Sequence, residues 1–316
     1  MATPLLMMSN RNKDGDGLGD RIAAMRYYEF KAGKLGSIKS WTEMSQADFT
    51  KRLQAVASNF PLVPDDQNEQ QRHVSVFVHG FNNTWVESAE RYAQIHEELF
   101  DERDLGAPIL FAWPSNGSAA GYLPDREDAR ACSKAFALEL VGLHDHLRKM
   151  QSLAASTQDP AKGCRAKISI IAHSMGNFVT QKALAVAAKQ LNSPQLLTLV
   201  TQLAMVAADV DNDLFQKDKA TESDGSLMAN VCYRIGALYT GLDQVLGASA
   251  GLKHFGTRRL GRSGLADRSN VWDNVFDHDV TALLDTRKNI HSGVFLSPKA
   301  MDLLEEVLRG VDRGQL

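Results

Sequence analysis

Two patterns in the sequence predict an α/β domain: a mainly parallel central sheet with helices on both faces. Four short runs are apolar on successive residues and mostly rich in β-branched types, at 74–78, 109–113, 168–172 and 203–208. Continuous rather than alternating apolarity is what a strand covered on both faces requires. Helical patterns separate these runs at 83–100, 125–153 and 177–190, and 301–309 closes the chain. Strands alternating with helices are the mark of parallel βαβ units.

The other elements follow from the same periodicities. Residues 5–9 and 25–30 read as two edge strands at the start, 231–238 as a more mixed fifth core strand and 270–276 as a sixth. Residues 10–20 are polar and glycine-rich and read as a loop. The stretch 247–269, rich in Gly, Ser and Arg, reads as an insertion before the last strand, either a lid or a solvated loop. No break in composition marks a domain boundary, so residues 1–316 read as a single domain.

Composition narrows the function. With 44% hydrophobic and 23% charged residues, the chain can build an ordinary globular core. A net charge of -3 gives no electrostatic case for nucleic acid or an acidic membrane, and favours a small-molecule or protein partner. Cys132, Cys164 and Cys232 are far apart with no CxxC pair, which suits a reducing cytosol rather than a disulfide framework. The longest apolar run, 196–208, is too short to span a bilayer, and the N-terminus lacks the basic flank of a signal peptide. The expectation is a soluble cytoplasmic protein; no pattern speaks to oligomeric state.

The sharpest chemical signal is Ala172-His173-Ser174-Met175-Gly176, where a buried strand runs directly into a helix. A serine flanked two residues away on each side by small residues is the strand–turn–helix pattern of a nucleophile elbow. Bulkier residues there would collide with the turn or the helix, and the helix N-terminus favours negative charge developing at the serine. A second signal is His79-Gly80-Phe81-Asn82-Asn83, at the end of another buried strand. In this arrangement the backbone N–H of Met175 and that of Phe81 form the oxyanion hole, Gly80 lets the backbone turn, and His79 is architectural.

A nucleophilic serine needs a base and an acid that orients the base, in the chain order Ser, Asp or Glu, His. Three histidines follow Ser174: His254, His278 and His291. His291 sits in a loop between the last strand and the closing helix, where such a base belongs; His278 is its main rival. For the acid, Asp243 follows the fifth core strand, and Asp209 follows the strand before it. Asp243 also reads as a helix N-cap. Residues 12–20 begin like a calcium loop, but Ala23 stands where the bidentate glutamate would be, so a flexible acidic turn is the expectation. Neither a metal nor a cofactor is expected.

Taken in order, His79-Gly80-Phe81-Asn82, Phe111-Ala112-Trp113-Pro114-Ser115 and Ala172-His173-Ser174-Met175-Gly176 resemble a bacterial family of the α/β-hydrolase superfamily, largely uncharacterised and esterase/lipase-like. Ser9-Asn10-Arg11, and Tyr122 with Asp125 or Asp128, are similar to that family's early strand end and to the segment after its Trp-Pro-Ser. The resemblance implies the α/β-hydrolase fold and a triad of Ser174, Asp243 and His291, acting on a small-molecule ester. An amidase or thioesterase using the same triad, or a non-catalytic hydrolase-fold binding protein, are the other readings.

Overall fold

The computed structural model describes residues 3–61, 63, 65–115, 121–159, 163, 166–191, 198–312 and 314–316. Cys164 and the start of the apolar run 196–208 lie outside the described residues. The strands are β1 (Leu6–Asp14), β2 (Gly17–Phe30), β3 (Trp41–Met44), β4 (His73–Val78), β5 (Gly106–Ala112), β6 (Lys167–His173), β7 (Val200–Val206), β8 (Cys232–Tyr239) and β9 (Val275–Asp279). The helices are α1 (Gln46–Ala57), α2 (Trp85–Ile95), α3 (Tyr122–Thr157), α4 (Gly176–Leu191), α5 (Asp224–Val231), α6 (Gln244–Ala248), α7 (Leu260–Ser263) and α8 (Pro298–Arg309).

Among the described residues, nine strands form one sheet in the order β3-β2-β1-β5-β4-β6-β7-β8-β9. The β3–β2 and β2–β1 pairs are antiparallel, and every later pair is parallel. Alternate residues feed two cores. Val74, Val76 and Val78 of β4 pack with Phe49 of α1, Phe136 of α3 and Val179 of α4. Phe77 packs on the other face with Tyr92 of α2 and Leu304 of α8. This is the α/β-hydrolase architecture, with helices on both faces of a mostly parallel sheet.

The structure corrects the early part of the chain. β1 is not an edge strand but lies between β2 and β5, because Leu6, Met7, Met8 and Ser9 are all fully covered. Residues 10–20 are not a loop but the far half of the β1–β2 hairpin, its ladder continuing through Arg11 opposite Ile22 to Asp14 opposite Gly17. Two of its side chains are engaged within the protein: Asn12 Oδ1 accepts from the backbone of Arg21 at 2.8 Å, and Asp16 pairs with Lys39 at 2.8 Å. β3, α1 and α5 carry too little apolar pattern to read in advance. α1 is capped by Ser45, whose hydroxyl accepts from Asp48 N, and buries only Phe49, Leu53 and Ala57. β9 starts later than expected, because Val271 bridges to Gln216 and Asn274 holds the carbonyls of Ala229 and Cys232. Among the described residues, no helix is long and apolar enough to cross a membrane.

Of the four buried histidines among the described residues, His73, His79, His96 and His173, three are shifted furthest: His73, His79 and His173. Burial pushes each ring down to a pKa of about 3. The unfolded chain titrates them near 6.5, so between pH 6.5 and 3 it binds more protons than the folded chain. Stability is therefore complete above the unfolded value and is lost as the pH falls below it. Urea unfolding at stepped pH should show the free energy dropping below pH 6.5, by up to about 1.4 kcal/mol per pH unit for each such histidine. A flat profile from pH 7 to pH 5 would show that these rings are not buried in the neutral form.

Candidate active site

The loops that follow β4, β5, β6, β7 and β8 meet at one edge of the sheet, where ligands bind in open parallel sheets. β6 ends at His173, and Ser174 takes a φ of 52°, a left-handed turn that a side chain adopts only under constraint. Two backbone bonds hold it: Ser174 N donates to Val206 O at 3.0 Å and Asp209 N donates to Ser174 O at 3.1 Å. The fully buried amide of Asn177 adds a clamp, its Nδ2 lying 2.9 Å from Ala172 O, 3.1 Å from Ser174 O and 3.2 Å from Val206 O. The small residue expected at 176 has a clear reason. A Cβ there would stand 2.4 Å from Val78 O and 2.5 Å from His79 O.

The loop after β4 comes equally close. A Cβ on Gly80 would stand 2.8 Å from Ser174 Cβ, so glycine is required for this approach, while the positive φ (58°) falls on Asn82 instead. The sequence reading assigned the turning role to Gly80; the structure gives it to Asn82. The N–H of Met175 has no hydrogen-bond partner among the described residues. Asn83 Nδ2 donates to Phe81 O at 3.0 Å and fixes the peptide after Phe81. His79 is architectural: its ring stacks on Trp113 at 5.2 Å, and its nitrogens face Gly80 O at 2.9 Å and Trp113 O at 3.1 Å. A neutral ring carries one N–H, so it donates to only one of these carbonyls.

His291 lies in a short 3-10 helix, Ile290–Leu296, before α8. Its Nδ1 is 2.7 Å from Asp243 Oδ2, and Asp243 is fully buried. The other oxygen, Oδ1, accepts from Leu246 N at 2.9 Å and caps α6. The two readings of Asp243, cap and histidine partner, therefore hold together, one on each oxygen. His173 supports the same loop from below, its Nε2 lying 3.0 Å from His291 O. Ser174, His291, Gly80 and Phe81 all line one cleft of about 770 Å³, with Asp243 behind it.

A family described as "Alpha/beta hydrolase of unknown function (DUF900)" matches residues 57–309. The chain belongs to that family. Two solved structures are similar to it. One is a Pyrococcus horikoshii acylaminoacyl peptidase, at 12% identity and a TM-score of 0.34, covering 92% of this chain and 46% of that one. The other is an acylaminoacyl peptidase in complex with Z-Gly-Gly-Phe-chloromethyl ketone, at 14% identity and a TM-score of 0.32, covering 94% and 48%. This α/β hydrolase spans about half the length of both peptidases. No curated protein matches it.

The rival residues have other partners. Asp209 is buried with Arg259, whose Nε lies 2.8 Å from Asp209 Oδ1; Tyr122 Oη donates to Oδ2 at 2.7 Å and Ser249 Oγ to Oδ1 at 3.0 Å. Burial is the largest single influence and would raise its pKa, but the Arg259 and Arg126 charges together with the Tyr122 and Ser249 hydrogen bonds outweigh it and hold the carboxylate below its ordinary range. His278 sits on β9 against Phe276 and is not among the residues lining the cleft. His254, in the insertion, reaches Tyr122 Oη at 2.5 Å. From Arg259 onward the insertion is pinned to the core, through Leu260 N to Val210 O and Gly261 N to Ala208 O, both 2.9 Å.

Sequence reasoning missed Asn177, His173 and Arg259 as supports, and noted Arg11 only as a strand end. Arg11 is buried and donates to Gly19 O, Ser115 O and Asn83 O at 3.0–3.1 Å, tying β2 of the α/β hydrolase to the loops after β4 and β5. Burial lowers its pKa to about 10, so it stays charged at neutral pH. A buried cation on carbonyls alone has no counterpart in apolar patterning, which is why the sequence hides it. Arg11→Met should leave those carbonyls without their donor and destabilise the fold by at least about 2 kcal/mol in urea titration. A loss under about 0.5 kcal/mol would mean that water replaces the guanidinium at no cost.

Proposed function

We propose that this α/β hydrolase is a serine hydrolase that cleaves carboxylic esters. His291 takes the proton of the Ser174 hydroxyl as its oxygen attacks the ester carbonyl, and the carbonyl oxygen becomes an oxyanion held by the N–H groups of Met175 and Phe81. His291 then returns the proton to the departing alcohol, leaving Ser174 acylated. Water, deprotonated by His291, attacks the acyl-enzyme; the acid leaves and the hydroxyl is restored. Asp243 holds the imidazole with Nδ1–H toward itself and Nε2 toward the cleft, and stabilises the imidazolium as it forms.

What supports this reading most is one arrangement. A buried carboxylate stands 2.7 Å from a histidine whose ring shares a cleft with a serine in a left-handed turn. A binding scaffold needs no such strained serine in one cleft with a carboxylate-backed histidine. Residues 1–316 read as a single domain, and Ser249 of the 247–269 insertion lines the cleft and meets Tyr122 Oη at 3.2 Å. The buried and unpaired Cys132 and Cys232 agree with a reducing compartment such as the cytoplasm.

Ser174→Ala should abolish both ester turnover and labelling by a fluorophosphonate while leaving the thermal unfolding transition in place. Turnover surviving at the wild-type rate would remove Ser174 from the mechanism. A panel of matched ester, thioester and anilide substrates separates esterase from thioesterase and amidase. Asp243→Asn keeps a cap for α6 but presents the wrong hydrogen-bonding group to His291, and kcat should fall on the order of 10⁴-fold. A loss below tenfold would mean that another group orients the base.

A further inference from the structure

The cleft of about 770 Å³ extends past Ser174 and His291 to a wall formed by α2: Glu87, Ser88, Glu90, Arg91 and Gln94. Arg91 is the one lysine or arginine among the residues lining it. Its guanidinium is held in a defined pose. Nη1 donates to Gln94 Oε1 at 2.5 Å, and its central carbon stands 5.4 Å from the centre of the Phe295 ring. Gln94 is fixed in turn, donating to Phe295 O at 2.6 Å and to Glu98 Oε1 at 2.8 Å.

Among the described residues, no carboxylate pairs with Arg91. The other acids of the region have their own partners or lie in solvent. Glu87 accepts from Thr84 N and Thr84 Oγ1, both at 2.8 Å, in the cap of α2. Glu98 makes no hydrogen bond or ion pair with Arg91 and acts on it only as a nearby negative charge, while Asp209 is held by Arg259, Asp243 by His291, and Glu90 is exposed. Partial burial lowers the pKa of Arg91 and the Glu98 charge offsets this only in part, the sign of a charge removed from water without full compensation. The pose also faces the chemistry: the Phe295 ring beneath Arg91 stands edge-on to His173 at 5.4 Å, and His173 is bonded to the backbone of His291.

We propose that Arg91 is a substrate-recognition residue that receives a carboxylate carried by the ester, so that the enzyme acts on esters of small carboxylated molecules. This rests on the serine-hydrolase reading above. A guanidinium with its stem clamped and its remaining N–H groups facing a cleft loses little entropy on taking a planar anion, and binds it through two parallel hydrogen bonds. Neutral esters leave that half-buried charge unpaired and gain nothing from it.

The test compares matched pairs within one protein, so that any general loss of activity cancels. Ethyl hydrogen succinate against its amide, ethyl succinamate, places the anion on the acyl side. O-acetylglycolate against O-acetylglycolamide places it on the alcohol side. Wild-type protein should favour the anion in at least one pair by on the order of tenfold in kcat/KM, and the pair that responds tells which side Arg91 reads. Arg91→Met should bring that ratio to about one, and Arg91→Lys should restore part of it. A wild-type ratio at or below one in both pairs, or one unchanged in Arg91→Met, overturns the proposal. If no ester is turned over, the hydrolase reading fails first. Calorimetric titration of succinate then decides this point by itself: saturable binding in the wild type that is lost in Arg91→Met supports it, and its absence in the wild type overturns it.

Discussion

The site depends on how closely the start of α4 is pressed against the end of β4. Gly176 has no room for a methyl group between Val78 O and His79 O, and Gly80 has none beside Ser174. These two approaches bring the backbone at 80–81 and at 174–175 to the same edge of the cleft. The left-handed turn at Ser174 costs of order 1–3 kcal/mol. The backbone bonds at Ser174 and the three carbonyls gathered by Asn177 offset it, at about 1 kcal/mol for each net hydrogen bond. The strain is tolerated because β4, β6 and β7 are buried on both faces and cannot relax to relieve it.

The other two residues of the proposed triad are held differently. Ser174 is fixed by the core of the sheet, whereas Asp243 and His291 sit on connections after β8 and β9. Precision there comes from using each polar group twice. Asp243 caps α6 with one oxygen and meets His291 with the other, so the start of α6 fixes the carboxylate that faces the ring. His173 packs at the elbow and also reaches the backbone of His291, linking the serine turn directly to the histidine loop. The buried Arg259–Asp209 pair does similar work for the insertion. Such a pair adds little net stability against an apolar substitute, but its geometry admits one docking position.

How much of this was legible follows from which forces leave a periodic trace. The β4, β5, β6 and β7 runs were readable because burial on both faces removes polar residues from the strand. The elbow was readable because steric exclusion at 172 and 176 restricts residue type locally. β1 was misjudged as an edge because its apolar run, Leu6 to Met8, is short and continues into the polar half of a hairpin. β3 and α1 were missed because a four-residue edge strand and a helix burying three side chains carry little pattern. Arg11, Arg259 and Arg91 were unreadable for a different reason. Each acquires its role from groups far away in sequence, and no local spacing distinguishes such an arginine from one on the surface.

The loop after β4 and the start of α2 form a single rigid unit. Asn83 accepts from Arg11 through its carbonyl and holds Phe81 O through its side chain. The next residue, Thr84, forms a reciprocal cap with Glu87, which fixes where α2 begins and which residues share its cleft-facing side. Arg91 lies one turn beyond Glu87, so its direction is set by the same cap. The N–H of Phe81 and the guanidinium of Arg91 therefore belong to one body, anchored by Arg11 to β1 and to the loop after β5. A substrate that engaged Arg91 would be registered against the proposed oxyanion position without any hinge between them. Binding energy from a remote carboxylate then serves orientation at the reacting carbonyl, the arrangement in which such energy raises kcat and not only affinity.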